Sequence, residues 1–212
     1  MNFQFENDII LENSALRLRP ISIADINHLL GVAISEKTLL QFSPKQVYTK
    51  ALLTEYIQNA IAFRNNKTRY SFSIFSIPDN CYVGSTAFLN VSNTDDRLEI
   101  GATWIDKAFQ GTGLNSQCKY LLLQYAFETL HAHRVEFKTD ERNIQSRKAI
   151  EKIGGKFEGV LREHTLMYDG FRRNTFCYSI IKSEWQTVKK GIRKQIEVKQ
   201  KRNSYNETIG KT

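Results

Sequence analysis

The stretch Gln110-Gly111-Thr112-Gly113-Leu114-Asn115-Ser116 has the residue types of an anion-binding turn. Two glycines let backbone amides come close to a ligand. A helical pattern follows at once, with Cys118, Leu121, Leu122, Tyr125, Ala126 and Thr129 on one face through about Leu130. The start of that helix aims its N–H groups and the positive end of its dipole at the same place, which suits a phosphate. Two phosphate-binding loops are excluded by residue. A Walker loop needs Gly-Lys-Ser/Thr, which is absent. A dinucleotide fingerprint needs a third glycine at position 116, which is Ser. A Gly-x-Gly by itself also fits an ordinary loop, so the surrounding elements decide.

Those elements read in order. Ala15–Pro20 alternates and stops at proline, as a strand does. A short helix opens near Ser22 and runs to about Ile34, and Leu52, Leu53, Tyr56, Ile57, Ala60 and Ile61 mark an amphipathic helix from Thr49 to about Asn65. Strands are expected over Tyr70–Ile77, Cys81–Val91 and Leu98–Ile105, an antiparallel meander leading into the glycine loop. After the loop and its helix come a strand at Arg134–Thr139, a helix over Gln145–Ile153 ended by Gly154-Gly155, and a hairpin of Lys156–Tyr168 and Phe171–Ile181 across Asp169-Gly170. The fold class is α/β (α+β): a mixed, mostly antiparallel sheet of about seven strands with helices on both faces. The β-α-β unit from Leu98 to Thr139 requires a parallel pair with a right-handed crossover.

The chain has 212 residues and a formal net charge of +8, which invites a nucleic-acid reading. The charge is not uniform. Residues 182–212 carry nine Lys/Arg and three Glu, whereas residues 1–181 carry 21 Lys/Arg against 19 Asp/Glu. No apolar run approaches the ~20 residues of a membrane span. The first residues lack a basic and then apolar leader pattern, and Cys81, Cys118 and Cys177 match no zinc or disulfide spacing. A cytoplasmic location and three small buried hydrophobes are the expectation, with no metal site.

In order and spacing the motifs resemble the GNAT N-acetyltransferase superfamily, in its RimJ/RimL (ribosomal-protein N-acetyltransferase) type. Gln110-Gly111-Thr112-Gly113 matches the Gly-x-Gly core of that family's pyrophosphate loop. The other matching segments are Glu99–Ile105, His133–Glu136, Asn143–Ser146, Glu151–Gly154, Glu158–His164 and Tyr178–Trp185. The likeness runs from about Leu16 to Trp185, so residues 1–185 are taken as the acetyltransferase domain and 186–212 as a basic C-terminal helix and tail, without structure from Asn203 to Thr212.

The resemblance implies acetyl-CoA as acyl donor. Gln110, Gly111, Thr112, Gly113, Leu114, Asn115 and Ser116 would hold its pyrophosphate, and the backbone of Glu99–Ile105, Trp104 and Ile105 included, would pair with the pantetheine arm. Asn143 would contact that arm, although a helix N-cap is its other reading. Arg147 would approach a cofactor phosphate, unless it lies on a solvated face. Acetyl transfer to an amine needs a base for the ammonium, a donor for the oxyanion and an acid for the leaving thiolate. The resemblance assigns Glu99 as base, against its alternative as a surface carboxylate opposite a basic strand. Glu163 and His164 are runners-up, although the matching position by alignment is Thr165. Ser146 would be the thiolate-side donor, because the tyrosine many relatives use is replaced by Ile150. Gly155 stands where phenylalanine is usual.

The acceptor is an amine, either a protein N-terminus or a small molecule. Its candidate lining is Phe42, Tyr48, Phe88, Tyr168 and Phe171, all equally readable as core. Trp185, Val188, Ile192 and Ile196 lie at helical spacing amid basic residues. That segment reads either as a terminal helix packing Trp185 and then fraying, or as a basic surface for ribosome or RNA contact. A monomer or homodimer fits equally. The competing functions are a non-catalytic acyl-CoA sensor and an RNA-binding module.

Overall fold

The computed structural model describes the backbone of residues 1–209 and the side chains of residues 1–199 and Lys201. Its strands are β1 (Leu11–Glu12), β2 (Leu16–Pro20), β3 (Arg69–Ser76), β4 (Cys81–Ser92), β5 (Arg97–Ile105), β6 (Arg134–Asp140), β7 (Lys156–Leu166) and β8 (Arg172–Ile181). Its helices are α1 (Asp25–Ser35), α2 (Lys50–Asn65), α3 (Leu114–Gln124), α4 (Ile144–Lys152) and α5 (Trp185–Ile209). The eight strands form one sheet in the order β1-β2-β3-β4-β5-β6-β8-β7. The two-residue β1 is the strand the sequence pattern does not mark; Leu11 and Glu12 pair with Leu18 and Arg17 of β2.

Two apolar layers cover the sheet. On one face α1 and α2 enclose Leu29, Leu53, Ile57 and Trp104. On the other, α3, α4 and α5 pack Cys118, Leu122, Ile150, Ile153, Trp185 and Ile192 onto Leu98, Ile100, Ile105, Val135 and Phe137. Strand β5 serves both faces through an irregularity. Its pairing with β4 shifts between Ala87↔Gly101 and Ser85↔Trp104, and Ala102 adopts φ 47°. One extra residue reverses the parity of a strand. Leu98 and Ile100 thus share their face with Ile105, while Trp104 turns to the other.

Among the described residues β5 and β6 are the only parallel pair, and their ladder is short: Arg97↔Arg134, Leu98↔Val135 and Glu99↔Glu136. Beyond Glu99 the two strands diverge, β5 staying with β4 and β6 with β8. The result is a notch in the sheet that opens toward the carboxyl ends of both strands.

Helix α5 differs from the expected frayed tail. Ile192 is fully buried, Val188 and Ile196 pack on the same cluster, and Trp185 stacks on Phe127 with ring centroids 5.2 Å apart. The helix continues past Asn203 to Ile209, and residues 210–212 lie outside the described residues. Of the cysteines only Cys118 is buried; Cys81 and Cys177 are half-buried, and Cys81 packs against the edge of the core.

Candidate active site

The loop between β5 and α3 behaves as its glycines require. Gly111 has φ +74° and Gly113 φ +103°, a region strained for any residue with a Cβ. Gly113 is the N-cap of α3 and supplies no side-chain cap. Thr112 ties the turn, its hydroxyl donating to the Phe109 carbonyl at 2.7 Å. The first-turn N–H groups of Asn115 and Ser116 in α3 have no partner within the helix. The Oδ1 atom of Asn115 is buried without a hydrogen-bond partner among the described residues. The glycine turn and the free first-turn N–H groups at the start of α3 fit an anionic group such as a phosphate.

Helix α4 starts at the same end of the notch, because β6 runs parallel to β5. Asn143 caps it: its Oδ1 accepts from the Ser146 N–H at 2.9 Å. The N-cap reading is therefore the observed one, and the Asn143 amide NH2 remains for a ligand. Ser146 lies in the first turn, half-buried, with its hydroxyl unused among the described hydrogen bonds. The two loops touch, since Gln145 donates to Gln110 Oε1 at 3.2 Å while Gln110 donates to the Ile105 carbonyl at 3.0 Å. Trp104 and Ile105 are buried, so only their backbone can meet a cofactor arm. The Trp104 indole is committed to the Tyr56 hydroxyl at 3.2 Å.

Arg147, expected to approach a cofactor phosphate, lies against β8. Its guanidinium donates to the Tyr178 hydroxyl at 3.4 Å and to the Glu141 carbonyl at 3.2 Å, and it lies 4.2 Å over the Phe176 ring. A planar cation finds a better partner in that aromatic face than in solvent, and this holds Arg147 against β8.

Glu99 sits at the closed end of the notch, on the last paired position of β5. It is 7% exposed, so it is not a surface carboxylate. Its Oε2 accepts from Lys138 Nζ and from Asn90 Nδ2, both at 2.8 Å. Burial alone would lower the Lys138 pKa, but the hydrogen bond and charge of Glu99 outweigh it and hold the ammonium above its ordinary value. Lys138 and Asn90 are contributed by the strands on either side of β5 and carry no motif of their own. Their only sequence signal is polar alternation on β6 and the end of β4. Glu163 is exposed on β7 and donates its backbone N–H to Asn174 Oδ1, while His164 contacts Thr175 and Thr165. Of the aromatic candidates, Phe88 is core, and Phe42 and Phe171 flank the Arg142 guanidinium at 5.8 and 3.8 Å.

A second buried cation lies between α3 and β5. Lys119 is 7% exposed, its Nζ donates to Thr103 Oγ1 at 2.6 Å, and Thr103 in turn meets Thr86 Oγ1 at 2.8 Å. No carboxylate accompanies it, and burial pushes its pKa down to about 8. A depression of about 430 Å³ near Met1, Asp96, His131, His133 and Lys182 lies at the amino end of β6, away from the notch, and contains none of these groups. Among the described residues no group of His, Cys, Asp and Glu could hold a metal ion, and no helix is long and apolar enough to cross a membrane.

Known proteins share this arrangement. The family profile described as "Acetyltransferase (GNAT) domain" matches residues 15–156. The curated relative "Probable N-acetyltransferase YjcK" of Bacillus subtilis is 26% identical over 163 residues, covering 73% of this chain and 88% of that protein. "Putative ribosomal N-acetyltransferase YdaF" of Bacillus subtilis is 33% identical over 111 residues, 52% of this chain and 60% of that protein. The crystal structure of a GCN5-related N-acetyltransferase from Brucella melitensis superimposes with a TM-score of 0.84 at 21% identity, covering 91% of this chain and 87% of that one. With the family profile matching residues 15–156, the chain belongs to the GNAT acetyltransferase family.

Proposed function

We propose that the protein uses acetyl-CoA to acetylate a primary amine, either the N-terminal α-amine of a protein or a small-molecule amine. The observation that carries this reading is the notch between β5 and β6. It has an anion-binding glycine loop at its open end and a buried carboxylate at its closed end. Acetyl-CoA supplies an activated thioester whose acetyl group an amine can take.

The chain's residues have separable tasks. The backbone of Gly111–Ser116 and the start of α3 hold the pyrophosphate. The unpaired edges of β5 and β6 accept the pantetheine arm as an added strand would be accepted, and the Asn143 amide NH2 anchors it. The irregularity at Gly101–Ala102 releases backbone N–H groups from the β4 ladder, and these can stabilise negative charge on a carbonyl oxygen. Glu99 takes a proton from the acceptor ammonium, whose ordinary pKa near ~10.4 leaves it charged at neutral pH. Lys138 and Asn90 hold its Oε2 in place, each donating at 2.8 Å. Ser146 donates toward the departing sulfur.

The name of one relative points to ribosomal protein, and the outer face of α5 exposes Lys190, Arg193, Lys194 and Lys201. Both support acceptor delivery at an anionic ribosomal surface in the cytoplasm.

The deciding experiment is titration with acetyl-CoA followed by CoA release with a panel of N-terminal peptides and small amines. Binding with turnover on at least one acceptor is expected. Tight binding with no turnover on any acceptor would make the protein an acyl-CoA sensor.

A further inference from the structure

We infer that Arg173 of β8 selects the acceptor, by binding an acidic side chain at the second or third residue of a peptide whose N-terminal amine meets Glu99. The inference rests on the acetyl-transfer reading above and narrows it from amines in general to acidic peptide N-termini.

The sheet register puts Arg173 on the face where Glu99 works. Paired residues of neighbouring strands share a face, and so do alternate residues of one strand. Cys177 pairs with Lys138, the partner of Glu99, and Thr175 pairs with Asp140. Arg173, Thr175 and Cys177 therefore line one strip of β8 that leads away from Glu99. Above the far end of that strip lies the connection between α1 and α2, residues 36–49. Arg173 Nη1 donates to the Phe42 carbonyl of this connection at 3.3 Å, and the Phe42 ring lies 5.8 Å from the Arg142 guanidinium. The strip is thus a floor with a roof at the end where Arg173 stands.

The neighbouring charges are paired among themselves. Lys138 pairs with Glu99, Arg142 with Asp140, and Arg134 with both Glu136 and Glu158. Arg173 is half-buried and has no carboxylate partner among the described residues. Its Nε donates to Thr175 Oγ1 at 3.1 Å, and its Nη2 has no acceptor among the described residues. Burial lowers its pKa despite the fields of Asp140 and Glu99, yet a guanidinium keeps its proton. A partly desolvated cation with donors to spare favours a carboxylate, which its planar fork can hold through two hydrogen bonds.

Distance sets the kind of acceptor. Arg173 is four residues from Cys177, about 13 Å along the strand, and its Nε turns back toward Thr175, about half that far. The carboxylate of a free α-amino acid sits on the carbon that bears its amine, so it cannot reach Arg173 while that amine meets Glu99. An extended peptide advances about 3.3 Å per residue, so an aspartate or glutamate at its second or third position can.

The test is initial-rate CoA release at saturating acetyl-CoA with C-terminally amidated tetrapeptides that carry Glu, Gln or Lys at the second or third position, and with free glutamate. Wild type should prefer the Glu peptide to its Gln counterpart by roughly tenfold to a hundredfold in kcat/KM, mainly through KM, as a hydrogen bond between charged groups allows. R173Q should take both peptides at the rate wild type shows on the Gln peptide. R173K should keep part of the preference, R173E should turn it toward the Lys peptide, and the exposed neighbour variant R172Q should match wild type. Equal wild-type rates on Glu and Gln peptides overturn the inference, and this comparison stands even where R173Q fails to fold. A preference that survives in R173Q also overturns it. So does a loss in R173Q that is the same on every peptide, which would leave Arg173 as no more than a tie to Phe42, and so does free glutamate outcompeting the peptides. A wild type that acetylates nothing in the panel brings down the functional reading as well, whereas acetylation blind to peptide charge overturns this inference alone.

Discussion

Replacing Glu99 with Gln separates chemistry from architecture at the closed end of the notch. The side chain keeps its size, and its amide can still meet Asn90. The loss is the full charge facing Lys138, at 2.8 Å. A hydrogen bond to a charged group contributes roughly 1.5–3 kcal/mol. Lys138 is 24% exposed and retains Glu136 at 3.5 Å, which places the structural cost at the low end, about 1–2 kcal/mol. For a chain of this size that lowers Tm by roughly 2–8 °C, so the variant remains folded at assay temperature. A general base contributes about 10²–10⁴ in rate. E99Q should therefore lose at least about a hundredfold in kcat, roughly 3 kcal/mol of barrier. Acetyl-CoA affinity should stay within about twofold, since Glu99 touches neither the glycine loop nor α4. The assay is initial-rate CoA release at saturating acetyl-CoA, paired with calorimetric Kd and a melting curve. Turnover within about threefold of wild type would remove Glu99 as the base. A parallel loss of affinity and turnover would show that the Glu99–Lys138 pair only holds β5 against β6.

Three further outcomes follow from groups in and outside the notch. K119M should be more stable than wild type near pH 7: the gap between an ordinary 10.5 and about 8 is worth roughly 3 kcal/mol, less about 1 for the lost Thr103 bond. The penalty of burying a charged Lys119 is full below pH 8 and fades as pH rises toward 10.5. The advantage of K119M in urea midpoint should therefore shrink across that window; a pH-independent difference would refute the argument. Asp25 is fully buried and accepts hydrogen bonds from Arg19, the Ser22 N–H and Ser73, which together outweigh burial and hold its pKa below 3.8. D25N should cost roughly 3 kcal/mol at neutral pH, and the gap should close as pH falls through the lowered pKa; an equal gap at pH 2 and pH 7 would refute the assignment. S146A should lower kcat by about tenfold, a modest loss because a thiol of pKa near ~8.5 already leaves readily. Its acetyl-CoA Kd should be unchanged, and an unchanged kcat would strike Ser146 from the mechanism.

Most of the scaffold was readable from local pattern, because strands and helices bury one face at a fixed period. The glycine loop was readable for a sharper reason. Gly111 and Gly113 occupy φ values that other residues reach only with strain, so their spacing reports the backbone directly. The partners of the site were not readable, since they depend on register. Lys138 meets Glu99 across 39 positions only because Glu99 pairs with Glu136 and the strands then diverge.

Two departures from the family pattern look like separate losses in sequence and form one exchange in space. By the resemblance, Ile150 stands where many relatives carry a tyrosine, and Gly155 where phenylalanine is usual. A Cβ added at Gly155 would lie 2.5 Å from Ile150 Cγ2 and 3.0 Å from the Ile150 carbonyl oxygen. No aromatic side chain can enter there while the turn after α4 keeps its path, and Ile150, 7% exposed, fills the core position instead. The turn is held by the Gly155 N–H donating to that carbonyl at 3.0 Å and by Gly154 at φ +96° under Val188 of α5. Packing against Val188 of α5 thus selects a small residue at 154, while Ile150 itself limits the space at 155. With isoleucine rather than a phenol at position 150, Ser146 is the hydroxyl that the first turn of α4 offers to the leaving sulfur in the proposed reaction.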